Sequence, residues 1–385
     1  MLWLAPWTLL LTALAAPADT GAAVHRIEEL GGKIRYDDQK QVVGVDLLQR
    51  QPTDDDLKAL AALSHLQSLK VSGSGVTDAG MSSVAQLGGL TELVLENTTV
   101  SNAGLKELTA LKKLKSINLR RSNTTDDGLQ YLQEFPALEQ AHLLFTNTTN
   151  SGLKHLAGLT RLRVLDLRGC VQISDKGIAQ LKDLTNLEDF KLRNPEVGDG
   201  ALKSIANMKK LKVLALEDTV ITNGGLKLIQ DLANVQNLDL MRCIGLDDDG
   251  LPAFAGYTKL KKLTLRGISM YGTGLGAFKD CKNLQVLDLS ETLLKDAGLE
   301  QIQDFTSLVD LDLWHTRITN DGLRHLSRLK NLQALSLEDT AVTDEGLSHL
   351  YGLTNLKTLN LKLTKVTPDA VGKLKEKLPG LKVEM

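Results

Sequence analysis

The sequence predicts an α/β solenoid, with short parallel strands lining an inner face and short helices forming the outer wall. Three observations carry this. An apolar pattern L-x-x-L-x-L recurs along the chain, its spacing is nearly invariant, and each copy is followed by a second signal of the form T-D-x-G-L. Aligned on the first apolar residue, repeats 1 to 14 start at Val42, Leu66, Leu90, Leu114, Leu138, Leu162, Leu187, Leu211, Val235, Leu260, Leu284, Leu308, Leu332 and Leu356. The interval is 24 residues except for two steps of 25, ending at Leu187 and Leu260. The extra residue falls in Cys170-Val171-Gln172-Ile173 and in Cys243-Ile244-Gly245-Leu246. A fixed period overrides the several globular domains that a length of 385 residues would otherwise suggest.

Within a unit the first element is an alternating segment such as Leu93-Val94-Leu95 or Leu287-Asp288-Leu289, whose period of two marks a strand with one buried face. A turn follows. Then comes the second signal, as in Thr77-Asp78-Ala79-Gly80-Met81 and Thr343-Asp344-Glu345-Gly346-Leu347, leading into apolar residues at helical spacing. Thr, Ser or Asp at that turn can accept a hydrogen bond from the free N–H groups of a helix start. Strand, turn and short helix cannot bury their Leu face alone, so each unit must stack on its neighbours. Fourteen strands about 4.8 Å apart give an inner face roughly 60 Å long, a size suited to a macromolecular partner.

Through L-x-x-L-x-L-x-x-T/C followed by V-T-D-x-G-L, residues 42–385 resemble the leucine-rich-repeat family, particularly its bacterial secreted and cysteine-containing members. The resemblance implies a curved right-handed coil. It is specific for fold and uninformative about function, because the motif consists of core and capping positions. Asp56, Ala201 and Ala370 depart from it at the usual Gly, and Pro195 and Ile268 at the Thr/Cys position. Each is expected to loosen its own coil without breaking the stack.

Residues 1–18, MLWLAPWTLLLTALAAPA, form an apolar run with Ala16 and Ala18 in an A-x-A arrangement and read as a cleavable export signal. No Lys or Arg precedes the run, so an uncleaved anchor is the competing reading. No later segment resembles a membrane span, and the mature protein is expected to be secreted or periplasmic. Residues 19–41 are expected to be a linker and cap, with a helical turn in Val24–Leu30 and a polar stretch from Tyr36 to Gln41. At the other end Leu378–Val383 reads as a closing strand.

The formal charge of -2 and the even mixture of Lys/Arg with Asp/Glu leave no basic footprint for nucleic acid. Aromatics are only 4% of the chain, so Leu, Ile, Val and Ala must fill the core. Cys170 and Cys243 occupy the position held elsewhere by Thr98, Thr219, Thr292, Thr316 and Thr340. Lying three repeats apart, about 14 Å, they are too distant for a disulfide. Cys281 falls in a turn. Three isolated thiols give neither a disulfide framework nor metal-ligand spacing, and no cofactor is expected. His155, His325 and His349 share one helix position and are repeat consensus. Asn97, Asn123 and Asn147 begin N-T-T sequons, for which turn chemistry is the simpler explanation.

Strand alternation sends the residues between the Leu positions onto the concave surface. Two patches emerge. Repeats 4 to 7 present Arg120, His142, Leu144, Arg168, Lys191 and Arg193, with Arg121 and Phe145 nearby, a basic and partly apolar set. Repeats 11 to 13 present Asp288, Ser290, Asp310, Asp312, Trp314 and Glu338, with Glu291, His315 and Asp339 adjacent, an acidic set around one Trp. Trp314 is the only Trp outside the signal segment and is expected to be exposed. Trp and Arg dominate binding energetics at interfaces. The expected function is therefore an exported protein-binding scaffold rather than an enzyme. Binding of a glycan or cell-wall polymer at Trp314, Asp310, Asp312 and His315 is the alternative. A ubiquitin-ligase adaptor of the F-box kind is disfavoured, since the roughly twenty residues between the signal segment and repeat 1 are too few for an independently folded domain.

Overall fold

The computed structural model describes residues 20–385, so the expected export signal lies outside the described residues. Sixteen strands form a single sheet in strict sequence order, and every pair after the first is parallel. The register advances by one repeat at each step, for example Leu69 beside Leu93 and Leu287 beside Leu311. Short α or 3-10 helices make up the opposite wall. Between the two layers a continuous core runs from Ala23 to Leu381. Repeat 3 shows how the pattern builds it: Leu90, Leu93, Leu95, Val100, Leu105, Leu108 and Leu111 are all fully buried.

The T-D-x-G-L signal does more than cap its own helix. Thr77 does accept from the Ala79 amide, as expected of an N-cap. In addition, the Asp54 carboxylate of repeat 1 receives both the backbone N–H (2.8 Å) and the hydroxyl (2.6 Å) of Thr77 in repeat 2. Asp78 does the same for Ser101, Asp126 for Thr149, Asp199 for Thr222, Asp296 for Thr319 and Asp344 for Thr367. The Gly of the next signal is required by the same bond. A Cβ on Gly104, Gly152 or Gly322 would meet the carboxylate of Asp78, Asp126 or Asp296.

Asp56 therefore does not loosen repeat 1. No repeat precedes it, so no carboxylate needs the space of a glycine. Asp56 instead accepts from the Thr53 amide and hydroxyl and from Arg26 Nε at 2.7 Å. Arg26 belongs to the helix Thr20–Glu29, which buries Ala23 and Ile27 over the open end of the core. Repeat 7 is likewise tied down rather than loosened. Beside Pro195, Asn194 is buried and its Nδ2 donates to the Cys170 and Ile173 carbonyls, both at 2.7 Å.

The sheet is not parallel throughout, as the repeat pattern alone implied. Lys33–Tyr36 pairs antiparallel with Val42–Leu47, and the polar stretch after Tyr36 is the connecting turn, in which Asp37 accepts from the Gln39 and Gln41 amides. At the far end only Lys382–Glu384 forms a strand, parallel to Thr358–Asn360, with Leu378 and Leu381 buried beneath it. The inserted residues of repeats 6 and 9 bulge outward, leaving Val171 and Ile244 exposed.

Candidate binding face

Each strand ends abruptly. The residue two positions past the last strand Leu adopts a left-handed backbone in Asn97, Arg121, Phe145, Asp218, Arg242, Glu291, His315, Asp339 and Leu363. Just before it, an Asp or Asn on the concave face accepts the backbone N–H two residues on. Asp288 receives Ser290, Asp312 receives Trp314, Asn118 receives Arg120 and Asp166 receives Arg168. Part of the acidic character of this surface is thus turn chemistry. Side chains of the left-handed column reach the neighbouring repeat. Phe145 lies over Gly169, which leaves room for the ring by having no Cβ.

The patch of repeats 4 to 7 is not basic in the folded chain. Arg168 is bound by Asp166 (2.8 Å) and by Glu217 (3.2 Å), Arg193 by Asp218 (2.6 Å), Lys191 by Asp189 (2.8 Å), and Arg120 lies 3.7 Å from Glu96. Pairing with the Asp166 carboxylate keeps the Arg168 guanidinium firmly charged. His142 is pushed the other way, burial lowering its pKa. Outside these pairs lie Phe145, 41% exposed, and Arg121, whose guanidinium sits 5.0 Å from the Phe145 ring centre.

The C-terminal patch keeps its charge. No ion pair within the described residues involves Asp288, Asp310 or Asp312. Burial raises the pKa of Asp310 and Asp312, and each is raised further by the like charge of Asp288. Asp239, two repeats before Asp288, is also raised by burial. Asp310 and Asp312 border a shallow cavity of about 290 Å³ with Ala334, Ser336, Thr358 and Asn360. Ser290, expected on the surface, is instead fully buried with its hydroxyl donating to Asp288. His315 pairs with Asp339, while Glu338 accepts from Asn360.

Trp314 is half-buried rather than exposed. The guanidinium of Arg266, two repeats earlier, sits 4.8 Å from its ring centre, and Arg266 Nε also donates to Glu291 at 2.6 Å. Among the described residues no group of His, Cys, Asp and Glu side chains could hold a metal ion, and no helix is long and apolar enough to cross a membrane.

Two family models described as leucine-rich repeats match the chain, one over residues 258–318 and the other over 62–85, 159–181 and 328–350. The chain belongs to the leucine-rich-repeat family. Among solved structures, this leucine-rich-repeat protein is similar to an internalin from Listeria monocytogenes, with 19% identity, a TM-score of 0.57, and 97% of this chain and 98% of that one covered. A leucine-rich-repeat protein of Leptospira interrogans gives 19% identity and a TM-score of 0.53 over 87% and 95% of the two chains. A chain of the mouse RP105/MD-1 complex gives 22% identity and a TM-score of 0.59, covering 86% of this chain and 56% of that one. At these identities the likeness is one of fold. No curated protein sequence matches the chain.

Arg266 is the residue that sequence reading of this leucine-rich-repeat protein missed. It occupies the same position after the last strand Leu as Trp314, so alternation places it on the concave face. Repeat 10 lies between the two patches as drawn, and its reach across two strands is visible only in three dimensions.

Proposed function

We propose that this protein is an exported scaffold that binds another protein on its concave face, with the main contact in repeats 11 to 14 around Trp314. The observation that carries the reading is that Asp288, Asp310 and Asp312 enter no ion pair among the described residues, on a face whose other charges are largely paired internally. Carboxylates held together against burial and like charge gain most from a partner that brings Lys or Arg. A rigid sheet with its side chains already placed loses little freedom on binding. A chain of the RP105/MD-1 complex shares the fold, and its occurrence in a complex supports a protein ligand by analogy. A glycan would need to stack on Trp314, and Arg266 already lies across one face of that ring. Export rests on the apolar run of residues 1–18.

Affinity capture with the full chain tests the reading when run beside Trp314→Ala and the double variant Asp310→Asn/Asp312→Asn. A protein retained by the parent chain and lost from both variants is the expected result. Equal retention by all three would move the contact to Arg120, Phe145, Arg168 and Arg193, and retention of polysaccharide alone would establish the glycan alternative.

A further inference from the structure

The Asp-to-next-repeat joint recurs at every junction of the outer wall but one. From repeat 1 to repeat 10 and from repeat 11 to repeat 14, an Asp or Asn accepts the amide that opens the next helix. Between repeats 10 and 11 the accepting position is Gly272, which has no side chain to offer. The backbone there is left-handed, with φ of +95°, and a Cβ would run into Leu294 Cδ1 and Gly298 Cα. The missing acceptor is built into the chain path, since the two backbones meet here directly. In its place are a Lys295 N–H to Tyr271 carbonyl bond of 3.3 Å and the Lys295 ammonium 4.8 Å from the Tyr271 ring centre. Repeat 10 also has Ile268 where half of the repeats have a Thr that bonds the strand-end carbonyl.

On the concave side the same junction carries an added tie. The sheet continues unbroken, with Leu263 beside Leu287, and Arg266 reaches from repeat 10 to Glu291 in repeat 11 and to Trp314 in repeat 12. We propose that the outer wall parts at Gly272–Lys295, with the intact sheet as the hinge axis and Arg266, packed against Glu291 and Trp314 on the concave side of that axis, as the strut whose compression limits the opening. The repeats on either side are each joined internally, so the motion changes the curvature of the concave face at the edge of the acidic patch. A ligand that takes Arg266 from Glu291 and Trp314 removes the strut, which couples occupancy of that face to its shape.

Amide hydrogen exchange on the full chain tests this without any ligand. In the parent protein the first-turn amides of Asp296–Ile302 in repeat 11 should exchange about tenfold faster than those of Asn320–Leu323 in repeat 12. Fraying from the C-terminus would give the opposite order. Arg266→Ala should accelerate repeat 11 about tenfold more and leave repeat 12 within twofold. Arg193→Ala removes a comparable concave ion pair at a junction whose Asp199–Thr222 joint is intact, and should change its neighbours by less than twofold. Equal protection of repeats 11 and 12 in the parent chain would overturn the hinge. Equal responses to the two Arg variants, or no response to Arg266→Ala, would overturn the strut.

Discussion

The carboxylate of Asp126 occupies the space that a side chain on Gly152 would need, while it binds the amide and hydroxyl of Thr149 one repeat along. The Asp and the Gly of the repeated signal therefore act as a pair drawn from two different units. Hydrogen bonds to a charged group contribute about 1.5–3 kcal/mol each, so Asp126→Ala should destabilise the fold by roughly 2–4 kcal/mol. Gly152→Ala should destabilise by a similar route, through the clash. Because the first change removes what the second collides with, the double variant should be more stable than the sum of the two losses predicts. Denaturant melts of the three variants measure the coupling. Strict additivity would mean that the two residues act independently.

A second expectation concerns pH. The carboxyl groups of Asp310 and Asp312 are raised above the ordinary range by burial and then by Asp288. Their folded pKa exceeds the unfolded value, so the folded state binds more protons in that window and stability falls as pH rises through it. Stability contributed by these two groups is greatest below the unfolded value of about 4 and is lost above the raised folded values. Asp310→Asn/Asp312→Asn should raise the melting temperature at pH 7 and flatten its dependence from about pH 4 upward. A lower melting temperature at pH 7 would show that the two charges are stabilised by a contact inside the chain.

The cysteines give a third. Cys170 donates to the Leu143 carbonyl at 3.1 Å and Cys243 to the Leu216 carbonyl at 2.8 Å, beside Thr146 and Thr219. A Thr hydroxyl can replace either thiol, so Cys170→Thr and Cys243→Thr should cost less than about 1 kcal/mol. Cys170→Asp should cost about 3 kcal/mol or more, since it buries an unpaired charge. Burial pushes the Cys243 and Cys281 thiols up to about 11, and all three cysteines should resist thiol reagents at pH 8 until the protein is unfolded. Rapid labelling of the native protein would show that the coils open readily.

A fourth separates binding from stability at Trp314. Removing the ring loses the Arg266 contact, worth about 0.5–1 kcal/mol at an exposed site, together with part of a buried face. Trp314→Ala should thus lower stability by roughly 1–2 kcal/mol and weaken binding of a concave-face ligand about thirtyfold, equivalent to about 2 kcal/mol. Thermal melts and titrations on one sample read both. Arg266→Ala should reproduce the stability loss; if it leaves stability unchanged, the stacked pair contributes nothing to the fold.

Fold class, repeat boundaries and the buried Thr/Cys position were legible in the sequence because they follow from the period of apolar residues and need no long-range information. Outward directions along each strand followed from the same alternation. The electrostatics did not, because Arg168 meets Glu217 two repeats away and Arg193 meets Asp218 in the next, so a set that reads as basic in one dimension is neutral in three. Trp314 was placed on the correct face, yet its partial burial depends on Arg266, 48 residues earlier in the chain. Asp56 looked like a defect only until it was seen to bind the Thr53 amide and hydroxyl that the carboxylate of a preceding repeat would otherwise take, with Arg26 at its other oxygen.

The shared construction of each joint bears on how such a chain can change length. Repeat 10 apart, each unit carries an acceptor for the unit after it, and most carry a glycine that leaves a vacant site for the acceptor of the unit before. A duplicated 24-residue segment therefore brings both halves of its own connections, and neither flank has to be rewritten to receive it. Copies inserted among repeats 1 to 10 should be accommodated in this way. A copy inserted directly after Gly272 would not, because the unit it follows offers nothing to bind.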